Sequence, residues 1–221
     1  MLTRPLWAGD FGSALSAIPG DAEVIILGEV HDNPYHHANQ ADAITAIQPA
    51  AVVFEMLTRE QADAATPEAR KTPGQLEEAF DWKHSGWPDF ALYQPVFEAI
   101  GDLPIVGAAL PRETVRRAVK EDPAGLFGAD AVRFGLDQPL PEDEQAEREA
   151  EQFANHCDAL PKEMLPGMVA AQRLRDAAFA RATLEALETH GGPIVLITGN
   201  GHARSDRGVP IYLANAAPDV I

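Results

Sequence analysis

"EVIILGEVHDNPYHHANQ" (residues 23–40) is the stretch whose reading decides the fold. It begins with an apolar run, Val24 to Leu27, rich in β-branched residues and without polar alternation. Such a run reads as a strand buried on both faces, as in a parallel sheet covered by helices. Further on, Asn33 precedes Pro34. An N-cap residue followed by proline at the first helical position predicts a helix from about Pro34 to Ile47. Between strand and helix stand Glu29, His31 and Asp32, with His36 and His37 just inside the helix. The stretch is thus a strand, a polar loop and a helix in succession.

The unit recurs. "AAVVFE" (50–55), "LPIVGA" (103–108) and "PIVLITG" (193–199) read as further buried strands. Thr58 with Gln61, and Thr72 with Gln75, have capping-box spacing. Pro88 opens a helix through "DFALYQPVFEAIG", which Pro95 should kink or split, and Pro111 opens another. "MVAAQRLRDAAFARATLEALE" is a long amphipathic helix, and "GVPIYLAN" reads as a short last strand. From about Arg112 to Arg181 no strand is expected. The charged "LDQPLPEDEQAEREAEQF" within it reads as a solvated helix. The expected fold class is therefore α/β. A central, mostly parallel sheet carries helices on both faces, in a single domain over 1–221. A helical insertion at about 112–181, between the third and fourth strands, is placed to act as a lid.

Composition narrows the function. With 34 acidic and 17 basic residues the formal charge is -17. That argues against a nucleic-acid partner, which needs a basic stripe, and against an anionic membrane surface. The single cysteine, Cys157, rules out a disulfide framework within one chain and a Cys-rich zinc site. "MLTRPLWAGDFGSAL" has neither the apolar segment of a signal peptide nor a cysteine for a lipid. No apolar run is long enough to span a membrane. The expectation is a cytoplasmic protein, or a periplasmic one if a leader has been removed.

In open α/β sheets, ligands bind beyond the carboxyl ends of the strands. The first strand ends in Glu29-Val30-His31, the second in Glu55, the fourth in Gly199-Asn200-Gly201-His202. Glu29 and His31 should point to one side if the chain stays extended. On the following helix His37, Gln40, Ala41, Ile44 and Ile47 share a stripe, which places His37 and Gln40 over the strand ends, with His36 at its margin. On the late helix Gln172 and Arg175 interrupt an apolar stripe and should enter the same cavity. Each residue also has a plainer reading: His37 as a satisfied core histidine, Glu55 as a cap for a helix near Thr58. Convergence from separate strands favours a site, because buried carboxylates are costly unless paired or ligand-bound.

Glu29, His31, Glu55 and His202 are the candidate catalytic or metal-ligating set. Imidazole and carboxylate donors suit a divalent metal such as zinc, manganese or iron, and the same groups serve as general acid and base. His37, Gln40, Gln172, Arg175 and Tyr93 are the candidate cofactor contacts. Histidine and tyrosine can ligate haem iron, although a core or interface role competes for each of Tyr35, Tyr93 and Tyr212. There is no G-x-S-x-G elbow and no phosphate loop, and Arg204 breaks the dinucleotide fingerprint in "GNGHARSDRG". His156 and Cys157 are adjacent on a helix and point apart.

"LGEVHDNPYHHANQ", "VVFEML", "SGWPDFALYQPVFEAI", "AALPRE", "FANHC", "AAQRLRDAAFA" and "ITGNGHARSDRGVPIYL", in that order, resemble the ChaN-like family. The resemblance runs from about Glu23 to Leu213. It extends to a wider group with the Tiki and TraB proteins and the erythromycin esterases, where two G-x-x-H motifs and glutamates form a site at the sheet edge. Here these match Gly28-Glu29-Val30-His31, Gly199-Asn200-Gly201-His202 and Glu55. The near family implies haem binding and iron handling, with haems stacked across a homodimer and held by tyrosine. The wider group implies hydrolysis of a peptide or ester, with or without a metal. The expected partner is a small molecule, haem-like or an ester or peptide, and Arg175 is placed to meet a carboxylate such as a haem propionate. A non-catalytic small-molecule binder is the third expectation.

Overall fold

The computed structural model describes residues 8–220. In chain order the elements are α1 (Ala8–Ser16), β1 (Val24–Glu29), α2 (Pro34–Ile47), β2 (Ala51–Phe54), α3 (Arg59–Asp63), α4 (Pro73–Ala79) and α5 (Phe90–Ile100). They continue as β3 (Ile105–Gly107), α6 (Arg112–Ala118), α7 (Pro123–Phe127), α8 (Glu142–Asn155), α9 (Leu165–His190), β4 (Ile194–Gly199) and α10 (Val209–Ala216). The start of "MLTRPLWAGDFGSAL", on which the expectation about a leader rests, lies outside the described residues.

The sheet is all parallel, in the order β1-β4-β2-β3. Its central strands are apolar on both faces, and every residue of β2 and β4 is buried. Two cores result. Ile25 and Leu27 of β1, Val52 and Phe54 of β2, and Val195 and Ile197 of β4 pack on one side with α2 and α5. Ala51, Val53, Ile194 and Leu196 pack on the other with α9, α10, α6 and α7. This division follows from the period of two along a strand and from crossover handedness. The chain steps from β1 to β2 to β3 in one direction, with its helices on one face. It then returns to the centre as β4, so a right-handed crossover must put the intervening helices on the other face.

The return matters for function. The connections after β1 and β2 leave toward one face, while those after β3 and β4 leave toward the other. Both neighbours of β4, and the β2/β3 pair, therefore part at their carboxyl ends. Such switch points open crevices there.

Local chemistry sets several boundaries. Asn33 accepts from the amide of Tyr35 at 3.0 Å and starts α2 with Pro34. Thr58 and Gln61 form a full capping box, whereas at α4 only the Thr72 side chain caps, accepting from the amide of Gln75. Two expectations need correction. "GVPIYLAN" is the helix α10, not a strand. Val209, Tyr212 and Leu213 recur at helical spacing and are buried, and Pro210 sits in the first turn, where a missing N–H costs nothing. Pro95 does not split its helix: α5 runs unbroken, capped by Asp89. One lost backbone bond is offset by a buried face of Tyr93, Val96, Phe97 and Ile100. Among the described residues, the segment from Arg112 to Arg181 holds no strand, and no helix is long and apolar enough to cross a membrane.

Candidate functional site

Glu29 ends β1 and is buried on the α2/α5 side. It is one of the most heavily bonded side chains in the molecule. His31 Nδ1 lies 2.7 Å from Oε1, and the Tyr93 hydroxyl donates to that oxygen at 2.5 Å. Gln40 Nε2 donates to Oε2 at 2.8 Å, and His37 Nε2 lies 3.5 Å from it. Burial opposes a charge here. The bond from His31, the nearby His37 ring and the bonds from Tyr93 and Gln40 outweigh it and hold the carboxyl far below its ordinary range. Tyr93 moves the opposite way: burial and the Glu29 charge push its hydroxyl well above its usual value, so it stays a donor. For His31, burial opposes protonation, but the bond to Glu29 and the nearby carboxylates raise its pKa overall. The His37 ring is completely buried and tilted against Tyr93, with centroids 4.1 Å apart.

Glu55 follows β2 and is buried on the α9 side. Its Oε2 accepts from the Thr198 hydroxyl and from the Gly199 amide, each at 2.6 Å. Arg175 of α9 donates to its Oε1, and His202 Nε2 lies 3.7 Å from the same oxygen. Burial again opposes the charge. His202, Arg175, Thr198 and Gly199 overcome it, and the carboxyl is held below its ordinary range. His202 Nδ1 is 2.5 Å from Oδ1 of Asp176, and its ring meets Phe179 edge-on. Asp176 is completely buried, and its Oδ2 has no partner. Burial there outweighs the pull of His202 and raises the carboxyl pKa.

The two glutamates thus leave the sheet on opposite faces, because they end strands whose inward positions alternate differently. His31 joins them over the sheet edge. β1 and β4 are paired with Glu29 opposite Gly199, which sets the two G-x-x-H stretches side by side. A Cβ placed on Gly199 would come within 2.9 Å of His31 Nε2 and 3.6 Å of Glu55 Oε2. Glycine at this position lets the imidazole lie over the strand end. Each histidine is therefore held through Nδ1 by a carboxylate, His31 by Glu29 and His202 by Asp176; His202 brings Nε2 to 3.7 Å from Glu55, and His31 lays Nε2 over Gly199.

Of the other expected residues, His37, Gln40 and Tyr93 gather on Glu29 inside the protein. Arg175 pairs with Glu55. Gln172 faces α8, accepting from Gln152, near Gly201. His36 accepts from the amide of Val30 at 2.8 Å and fastens the loop. Sequence reasoning missed Asp176 and Trp87. Asp176 was legible as an acidic residue among the alanines and leucines of the late helix. Trp87 meets His31 at 4.7 Å between ring centroids, and it had no local signal beyond its place in "SGWPDF".

Beyond Glu55 and Arg175 a cleft of about 630 Å³ opens at the β2/β3 switch point. Its apolar walls include Met56, Trp87, Leu110, Val115 and Phe179, and its polar lining includes His84, Arg112 and Arg116. Glu29, His31 and His202 do not line it. The candidate set is thus brought together without sharing one cavity. Among the described residues, no group of three His, Cys, Asp or Glu side chains is arranged to hold a metal ion. Both glutamates spend their oxygens on protein donors.

Fold and side-chain geometry define an α/β protein with a parallel sheet and a candidate site at its carboxyl edge, where two G-x-x-H motifs lie side by side. Residues 19–213 match the family described as haem-binding uptake, Tiki superfamily, ChaN, and the chain belongs to that family. No curated protein and no solved structure matches it.

Proposed function

We propose that this protein binds a haem-like small molecule in the cleft beside Glu55 and Arg175, and serves in haem or iron handling. The observation that carries the reading is the make-up of the cleft. About 630 Å³ lies within the usual range for small-molecule sites, and apolar walls meet a few charged groups. Haem chemistry fits the donor set. Trp87, Leu110 and Val115, all part-exposed, offer apolar surface to a macrocycle, and the arginines offer partners to propionates. His84, whose Nδ1 is held by Asp81 at 2.6 Å, keeps Nε2 for an iron ligand. Bound haem would supply the iron; the protein's part is to hold and orient it.

Titration of the purified protein with hemin tests this. The expected result is a saturable Soret shift at micromolar hemin that weakens in Trp87→Ala and Val115→Ala. Absence of any shift overturns the reading.

A second reading, hydrolysis of an ester or peptide, is favoured by one specific feature. Two carboxylate-held imidazoles, His31 and His202, stand at the same strand ends as Glu55, with His202 Nε2 3.7 Å from it and His31 Nε2 over Gly199. A water held among these groups would have a base to take its proton. Turnover of ester and peptide substrates, lost in His31→Ala and in His202→Ala, is the expected outcome; equal rates in the variants exclude it. A metal site at Glu29, His31, Glu55 and His202 would require these carboxylates to exchange their present donors.

A further inference from the structure

The cleft carries a charge pattern that names its ligand more closely, and this inference rests on the haem-like reading above. The geometry points to Arg112 and Arg116 as the anion-recognising face of the cleft, which takes a ligand bearing two carboxylates.

The first observation is how arginines are used in this chain. Carboxylates outnumber basic residues 34 to 17, so a partner is available to most cations. Arg59, Arg117, Arg148, Arg175, Arg204 and Arg207 each pair with a carboxylate. Arg70, Arg133 and Arg173 donate to backbone carbonyls, and Arg181 lies over the ring of Phe127. Among the described arginines, Arg116 alone has no such partner. Arg112 donates only to the backbone carbonyl of Ser85 and has no carboxylate. Both line the cleft.

The second observation is placement. Arg112 and Arg116 are four residues apart on α6, so they project from the same side of the helix, about 6 Å apart at their Cβ atoms. Val115 and Leu110 adjoin them on the cleft wall. A ligand lying on that wall would bring acidic groups to the two guanidinium forks, each able to grip a carboxylate through two parallel bonds. The acidic groups of the lining are already engaged: Glu55 by Arg175 and Asp81 by His84. Arg175, the arginine expected from sequence to meet a propionate, is committed to Glu55. The carboxylate contacts therefore fall to α6, and a flat, apolar body with two acidic groups at one end is the ligand class that fits.

The test compares hemin, protoporphyrin IX and hemin dimethyl ester on the wild type, Arg116→Ala, Arg116→Lys, the Arg112→Ala/Arg116→Ala pair and the control Lys120→Ala. Arg116→Ala is the cleaner single change, because Arg112 also holds the Ser85 carbonyl. Loss of a charge-assisted contact should weaken hemin and protoporphyrin roughly tenfold for Arg116→Ala, and further for the pair. Arg116→Lys should recover part of the loss, and Lys120→Ala none of it to recover. The dimethyl ester should bind more weakly than hemin to the wild type and be indifferent to both alanine changes. Equal binding of ester and acid, with hemin affinity unchanged in the variants, overturns the arginine proposal and leaves the haem-like reading standing. No binding of hemin by the wild type overturns both.

Discussion

Two carboxylates, Glu29 and Glu55, are buried at the same edge of one sheet and ionised by different means. Glu29 is surrounded by side chains that hydrogen-bond: a tyrosine, a glutamine and histidines from α2, α5 and its own loop. Glu55 is held by a guanidinium, a hydroxyl and a backbone amide, with a second histidine close by. The first arrangement is sealed; the second opens onto a cleft through Arg175. A buried charge needs donors, and either supply suffices. What differs is what remains available. The Glu29 network fixes the β1–α2 loop with His31 in place and leaves both His37 ring nitrogens and Gln40 Oε1 buried without a hydrogen-bond partner. The Glu55 network keeps the Arg175 guanidinium part-exposed on the cleft, while its imidazole, His202, is buried; the half-exposed imidazole is His31, on the Glu29 side. The two G-x-x-H stretches are thus unequal in exposure: His31 is half-exposed, and His202 is buried between Asp176 and Phe179.

The sharpest way to break this comparison is to remove the anchor. Glu29→Ala leaves Tyr93, Gln40 and the His31 ring without their acceptor in a buried space. Breaking a buried charged network in this way costs about 3–5 kcal/mol, read as a large drop in denaturant midpoint. Glu29→Gln keeps the shape and should cost less. It also tests the sign of the pH dependence. The folded pKa of Glu29 is depressed, so its stabilisation is present above the ordinary carboxylate value and is lost as pH falls through the folded value. The stability gap between wild type and Glu29→Gln should therefore shrink on acidification. A gap that does not change with pH would mean that the Glu29 charge contributes nothing.

Arg175→Met should cost less, about 2 kcal/mol, the order of one hydrogen bond to a charged group left unmade. Glu55 keeps Thr198 and Gly199 as donors. The loss should appear in urea titrations and should vanish in the Arg175→Met/Glu55→Gln pair, where no charge remains to be stranded. Asp176→Asn should cost about 1 kcal/mol or less, with the opposite pH trend from Glu29. The folded pKa of Asp176 is raised by burial, so stability falls as pH rises from the ordinary carboxylate value toward the folded one. The asparagine variant should gain on the wild type along that limb.

Much of this was legible in the sequence. The four strands, the Asn33–Pro34 helix start and the convergence of polar residues on one edge all follow from periodicity and from the strand-end rule, although only the central β2 and β4 are fully buried; β1 and β3, at the sheet edges, are half-buried. What was not legible has physical reasons. The two faces on which Glu29 and Glu55 emerge depend on where each strand ends relative to its inward positions, and a boundary shift of one residue reverses the assignment. α10 reads as a short strand in sequence, and only the burial of Val209, Tyr212 and Leu213 at helical spacing shows it to be a helix. Asp176 acts across 26 residues on His202. The cleft is lined by the loops after β2 and β3, by α6 and by α9, and no local pattern announces such an assembly.

The finest test acts on the joint between the two networks and leaves both intact. Gly199 is the point where His31 crosses the strand end, and a methyl there would meet Nε2 at 2.9 Å. The obstructing atom is the tip of a side chain on the half-exposed rim, not backbone, so the ring can give way. Gly199→Ala should therefore cost about 1 kcal/mol, the low end for overpacking. The Glu29 and Glu55 bonds to their other partners should persist. The ring of His31, however, must turn away from Glu55, and its proton affinity should fall as the Glu55 charge recedes, since that charge helps to raise it. An NMR titration of the His31 ring in wild type and Gly199→Ala would read this directly. A lower pKa in the variant, with the denaturant midpoint almost unmoved, is the expected result. An unchanged titration would show that the two carboxylates do not communicate through His31, and that the paired motifs are neighbours only by the register of β1 and β4.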